Sequence, residues 1–190
     1  MDEYDTISEW YSTTRDGDIG VPELSELSRT LPVGSRILDL GCGNGIPMSR
    51  FLSGRGFEVF GIDSSEQMIA RFRRNCLDAH AQCARIQDSD FFQTRFDAVV
   101  AWGVLFHLSA SDQELTIVKV AHALRALGKF LFTAGEREGT VESEMQGLRF
   151  SYVSLGAEKY RTLLDGHGFD VLDEHSDAWD NYVFIAEKRA

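Results

Sequence analysis

The feature that most constrains this chain is the run Ile37-Leu38-Asp39-Leu40-Gly41-Cys42-Gly43-Asn44-Gly45, followed directly by Ile46-Pro47-Met48-Ser49-Arg50-Phe51-Leu52. A short apolar strand enters a glycine-dense turn. Pro47 falls where the first turn of a helix accepts it, because the missing N–H has no helical partner there. Glycines at alternate positions let the backbone take positive φ and approach a bound molecule closely. The stretch predicts strand, tight turn and helix, with a ligand against the turn. The dinucleotide fingerprint G-x-G-x-x-G calls for a third glycine at position 46, where this chain has Ile46. The spacing is D-x-G-x-G-x-G instead.

The rest of the chain alternates strand and helix signals. Tyr4, Ile7, Trp10 and Tyr11 share one helical face over Tyr4–Thr13, and Leu24, Leu27 and Leu31 form the buried stripe of a second helix over Pro22–Leu31. Phe57–Ile62 reads as the second strand and stops at Asp63. In nucleotide-binding α/β folds an acid at this place, about 20 residues past the glycine loop, accepts hydrogen bonds from ribose hydroxyls. Ser64 and Ser65, with Glu66, are better suited to cap the next helix. Met68, one turn into that helix, is either core or a cover over a bound base. Ala84–Gln87 is expected as the third strand, leading into Asp88-Ser89-Asp90, and Phe96–Ala101 as a fourth strand buried on both faces. A helix over Asp112–Leu127 is expected, capped by Ser111 with Glu114 and ended by Gly128. Strand Lys129–Thr133, helix Ala157–Asp165 and strands Phe169–Glu174 and Tyr182–Ala186 follow. Residues 135–155, polar and punctuated by glycine, are expected as a loop or short strand roofing a pocket, and the acids among them read as a solvated face.

With motif and acid in order, the chain resembles the class I S-adenosylmethionine-dependent methyltransferases, and within them the small-molecule enzymes often labelled type 11. The resemblance runs from about residue 35 to the end. It implies an α/β fold, a doubly wound Rossmann-like sheet of seven strands, mostly parallel with an antiparallel last strand, and helices on both faces. It also implies a single domain over 1–190, with amino-terminal helices (1–31) as a lid, a core over 35–190 and the 135–155 insert covering the substrate. Cofactor contacts are implied for Asp39, Gly41, Cys42, Gly43, Asp63, Ser64, Met68, Asp88, Ser89, Ala101, Trp102 and Arg15. The Asn-Pro-Pro-Tyr form of motif IV, typical of adenine and glutamine N-methyltransferases, is absent from Trp102–Leu108.

Segments after the fourth strand of such sheets face the ligand, which makes His107 the best-placed base, since its pKa can sit near neutrality. The alternatives are that it positions the acceptor or caps the turn. His175, at the end of a late strand, is a weaker second candidate. Tyr11, Trp102, Phe106, Phe150 and Tyr152 supply an aromatic substrate pocket.

Composition narrows the partners. Nineteen Lys and Arg against 30 Asp and Glu give a net charge of −11, which repels phosphate backbones and argues against nucleic acid. The three cysteines, Cys42, Cys76 and Cys83, lack metal or redox spacing and suit a reducing compartment. No metal set stands out. The acidic amino terminus and the lack of an apolar run near 18 residues predict a cytoplasmic, unprocessed chain away from membranes. The expected activity is methyl transfer from S-adenosylmethionine to a small molecule, with S-adenosylhomocysteine as product, by a monomer or homodimer. O-methylation is favoured, with N-methylation close behind. The alternatives are a binding protein that no longer transfers methyl and, more remotely, an NAD-linked oxidoreductase.

Overall fold

The computed structural model describes residues 17–190 together with Thr6 and Trp10. The amino-terminal helix expected over Tyr4–Thr13 lies outside the described residues, apart from Thr6 and Trp10, which have helical backbone.

Nine strands and five helices follow in the described residues: α1 (Val21–Arg29), β1 (Arg36–Leu40), α2 (Met48–Gly54), β2 (Glu58–Asp63), α3 (Glu66–Asn75), β3 (His80–Cys83), β4 (Phe96–Ala101), α4 (Ala110–Ala123), β5 (Leu124–Ala134), β6 (Glu138–Met145), β7 (Leu148–Leu155), α5 (Ala157–Gly166), β8 (Phe169–Ser176) and β9 (Tyr182–Lys188). Seven strands form one sheet in the order β3-β2-β1-β4-β5-β9-β8, and β6 and β7 form a separate hairpin. β1 to β5 are parallel, and β9 runs antiparallel to both β5 and β8. This is the expected doubly wound sheet. Strand order reverses between β1 and β4, where such folds leave a crevice beyond the carboxyl ends.

Alternation along the central strands divides the core. Leu38, Val99, Phe130 and Phe132 pack with Ile117 and Val120 of α4 and Tyr160 and Leu164 of α5. Ile37, Ala98, Val100 and Leu131 pack with Leu24 and Leu27 of α1 and Met48 and Leu52 of α2. Strands covered on both faces read as continuous apolar runs, which is why β1 and β4 were legible.

Three expectations are corrected. The third strand is His80–Cys83, not Ala84–Gln87, because its register with β2 pairs Phe60 with His80 and Asp63 with Cys83. It is a polar edge strand with little burial, so the alternation of Ala84-Arg85-Ile86-Gln87 drew the reading four residues too late. Second, α4 starts earlier and stops at Ala123. Its cap is Ser109, whose Oγ accepts from the Asp112 N–H at 3.2 Å. It ends before Leu127 because Leu124 already pairs with Phe96 of β4 and Leu127 turns to φ 62°. Third, the 135–155 insert is a regular hairpin. Gln146 and Gly147 take φ 53° and 78°, the two positive values a two-residue type I′ turn requires. Its acids on β6 are exposed, as a solvated face should be.

Candidate functional site

The glycine loop joins β1 to α2 as expected. Gly41, Gly43 and Gly45 take φ 67°, 54° and 83°, and each has a different reason to lack a side chain. A Cβ at Gly41 would stand 2.5 Å from Val104, in the loop after β4, and one at Gly45 would stand 2.7 Å from the Cys76 sulfur. At Gly43 a Cβ would meet nothing. There the loop is open toward a cavity of about 880 Å3, which Gly41 and Gly43 help to line.

Asp63 sits at the end of β2 on the same cavity. Its carboxylate accepts from the Gly43 N–H at 2.9 Å through one oxygen and from the Ser65 N–H at 2.9 Å through the other. One acid thus ties the glycine loop to the start of α3. That carboxylate also lines the cavity, where a ligand's hydroxyls can reach it. Ser65 caps α3, accepting from the Met68 N–H at 3.1 Å, while Ser64 and Met68 line the cavity.

Several expected residues stand behind the wall. Asp39 is buried and accepts from Ser49 Oγ at 2.6 Å, linking β1 to α2. Cys42 packs with Ile69, Phe72 and Cys76. Burial pushes the Cys42 thiol well up, helped by Asp39, Asp63 and Cys76, and burial pushes Cys76 up to about 11. Both stay neutral thiols. Ala101 is buried at the end of β4 and does not line the cavity.

Asp88 and Ser89 are displaced from the cavity by the corrected strand boundary. The residues that follow β3 directly, Ala84, Arg85, Ile86 and Gln87, line it instead. Ser89 Oγ is engaged with Gln82 at 2.7 Å and with the Phe91 N–H at 3.0 Å, and Ser89 borders a separate cavity of about 310 Å3. Lys119 of α4 holds this segment. Its ammonium donates to the carbonyls of Ile86, Gln87 and Ser89 at 2.7, 2.8 and 2.6 Å. Burial lowers its pKa, while Asp88 and Asp90 act to raise it. Next to this clasp, Phe91, Phe92 and Gln93 take φ of 52°, 57° and 51°, a left-handed path that costs roughly 1–2 kcal/mol per residue. The Asp90 carboxylate supports it, accepting from the Phe92 N–H at 3.1 Å and the Gln93 amide at 2.8 Å. Nothing in local sequence periodicity signals such a clasp.

The opposite wall is built from the loop after β4 and from β7. Trp102 lines the cavity and packs beneath Gly20, where a Cβ would stand 2.8 Å from the indole. His107 ends a single helical turn, Leu105–His107, and lines the cavity with Leu108, Ser109 and Phe150. Its ring centroid lies 5.0 Å from Tyr152, 4.9 Å from Phe106 and 6.2 Å from Phe150. Phe106 and Tyr152 do not line the cavity but brace the imidazole from behind. Tyr11 and Arg15 lie outside the described residues. His175 is remote from the cavity, bonded through Nδ1 to Asp173 at 2.9 Å and 3.7 Å from Glu23.

One buried amide joins the two pieces of this wall. Gln113 of α4 donates to the Leu108 carbonyl at 3.0 Å and the Val153 carbonyl at 2.8 Å. Its own oxygen accepts from the Tyr160 hydroxyl, which in turn accepts from the Leu155 N–H at 3.3 Å. The hairpin and the His107 loop are thereby held as one unit. Sequence reading missed Gln113 because an amide inside an amphipathic helix looks like any surface position.

Residues 37–128 match the model of a methyltransferase domain family. That segment, which takes in the glycine loop, Asp63 and the loop after β4, is similar to a methyltransferase domain. Among curated relatives, the ubiquinone biosynthesis O-methyltransferase of Alkalilimnicola ehrlichii is 32% identical over 69% of this chain and 51% of its own length. The tRNA U34 carboxymethyltransferase of Vibrio cholerae is 35% identical over 53% of this chain and 31% of its own. The chain spans about half the length, or less, of the curated relatives it matches. Among solved structures, a TehB-like methyltransferase of Corynebacterium glutamicum superposes with a TM-score of 0.75 at 19% identity, covering 96% of this chain and 98% of that one. That likeness concerns the fold of this methyltransferase core. Among its described residues no helix is long and apolar enough to cross a membrane.

Proposed function

We propose that this protein transfers a methyl group from S-adenosylmethionine to a small-molecule acceptor, with a hydroxyl oxygen favoured over an amine nitrogen. The observation that carries the reading is the junction at Asp63, whose carboxylate braces the Gly43 and Ser65 amides at the cavity wall, at the strand end where such folds meet a ribose. The open side of Gly43 leaves room for the chain of the cofactor, and Met68, Ala84, Arg85, Ile86 and Gln87 are positioned to enclose its base. Asp88 and Ser89 have no part in this assignment.

When bound, S-adenosylmethionine supplies a methyl group on a positively charged sulfur. The protein's task is to hold the acceptor atom about 3 to 3.5 Å from that methyl and to exclude water. His107, fixed by Phe106 and Tyr152, takes the acceptor hydroxyl's proton onto its imidazole as the oxygen attacks. Phe150 and Trp102 give the acceptor an apolar wall, and hairpin 138–155 closes that side of a single domain. We place the enzyme in the cytoplasm, acting on neither membrane nor nucleic acid, as its excess of 11 negative charges favours. The test is mass-spectrometric transfer of a deuterated methyl from labelled S-adenosylmethionine to a panel of small phenols and amines. Transfer to phenols supports the reading. Cofactor binding without transfer to any member would point to a binding protein.

A further inference from the structure

The hairpin contributes a charge to the cavity wall. Among the described residues, four formally charged ones line the cavity: Asp63, Arg85, Asp112 and Arg149. Both oxygens of Asp63 are engaged by backbone amides, and an oxygen of Asp112 accepts from Ser109 at 2.8 Å and Gln87 at 3.1 Å. Arg85 follows β3, on the nucleotide side. Arg149 is on β7, where it is exposed while its neighbour Phe150 is buried, and both residues line the cavity.

Arg149 stands directly across the hairpin from Glu144. Opposite charges in that relation attract and form pairs, and the chain holds 30 acids. Yet no ion pair joins Arg149 to Glu144 or to any other acid among the described residues, although eleven other ion pairs form there. A guanidinium without a carboxylate partner at a cavity wall offers a planar two-pronged donor for an anionic ligand. The volume of about 880 Å3 lies at the upper end of the range for single-ligand pockets, so a second small ring fits beside the cofactor.

We propose that the methyl acceptor is a compact aromatic anion, its ring against Phe150 and His107 and its carboxylate held by Arg149. This rests on the methyltransferase reading above. The exposed acids of β6 lie away from the cavity and do not select a cation there.

The experiment is calorimetry on protein saturated with S-adenosylhomocysteine, titrated separately with para-hydroxybenzoate, phenol and tyramine. The anion is expected to bind at least about tenfold more tightly than the other two, since a charge-assisted pair is the stronger kind. Arg149→Ala should erase that preference while leaving phenol unaffected, and Arg149→Lys should keep part of it. Equal or tighter binding of phenol or tyramine, an unchanged preference in Arg149→Ala, or no binding of the anion to protein that does bind S-adenosylhomocysteine would overturn the proposal. Failure of S-adenosylhomocysteine itself to bind would instead remove the methyltransferase reading beneath it.

Discussion

The two walls of the cavity are built on different principles. The nucleotide wall comes from the carboxyl ends of β1, β2 and β3, strands of the main sheet, whose loops are clasped by Asp63 and Lys119. The acceptor wall comes from a loop and a hairpin outside the main sheet, held by side chains, above all Gln113 and Tyr160. A wall made of strand ends is tied to the sheet itself. A wall made of side chains on a hairpin can change its ligand while the sheet stays the same, which is how one fold serves many acceptors.

The contrast predicts separable defects. His107→Ala should lower kcat by about 10²- to 10⁴-fold, the usual contribution of a general base, with affinity for S-adenosylhomocysteine unchanged; steady-state kinetics beside calorimetry measures both. An unchanged kcat would reduce His107 to a structural residue. Asp63→Ala should do the reverse, raising the dissociation constant of S-adenosylhomocysteine about a hundredfold, because hydrogen bonds to a charged group are worth about 1.5–3 kcal/mol. If affinity survived, the nucleotide wall would not depend on that junction.

These two residues also mark what was legible. The glycine loop, Asp63 and His107 were readable because backbone geometry and strand ends fix them: positive φ demands glycine, and a doubly wound sheet presents the ends of its strands to its ligand. The seven-strand sheet followed from apolar runs. β3 was misplaced because an edge strand needs no apolar run, and that shift set the expected base contacts at Asp88 and Ser89, whereas Ala84–Gln87 line the cavity. Gln113, Lys119 and Arg149 were invisible for another reason. Each acts across 30 or more residues of chain or through the ion pair it lacks, and periodicity records neither.

Two smaller effects sharpen the comparison. Gln113→Leu leaves the carbonyls of Leu108 and Val153 without their donor and should cost about 1–3 kcal/mol, seen as a fall in Tm of about 2–4 °C per kcal/mol. Hydrogen exchange should rise in β7 and not in β2. Lys119→Met should release the carbonyls of Ile86 and Gln87 and weaken S-adenosylhomocysteine binding about fivefold, the scale of one net hydrogen bond. Loss of β7 protection in the lysine variant, or of cofactor affinity in the glutamine variant, would show that the walls are not independent.

The most direct measurement is calorimetric titration of the unmodified protein with S-adenosylhomocysteine and, separately, with NADH. The account predicts one saturable site per chain for S-adenosylhomocysteine, greatly weakened in Asp63→Ala, and no binding of NADH. Binding of NADH in place of S-adenosylhomocysteine, or saturable S-adenosylhomocysteine binding indifferent to Asp63, would contradict it.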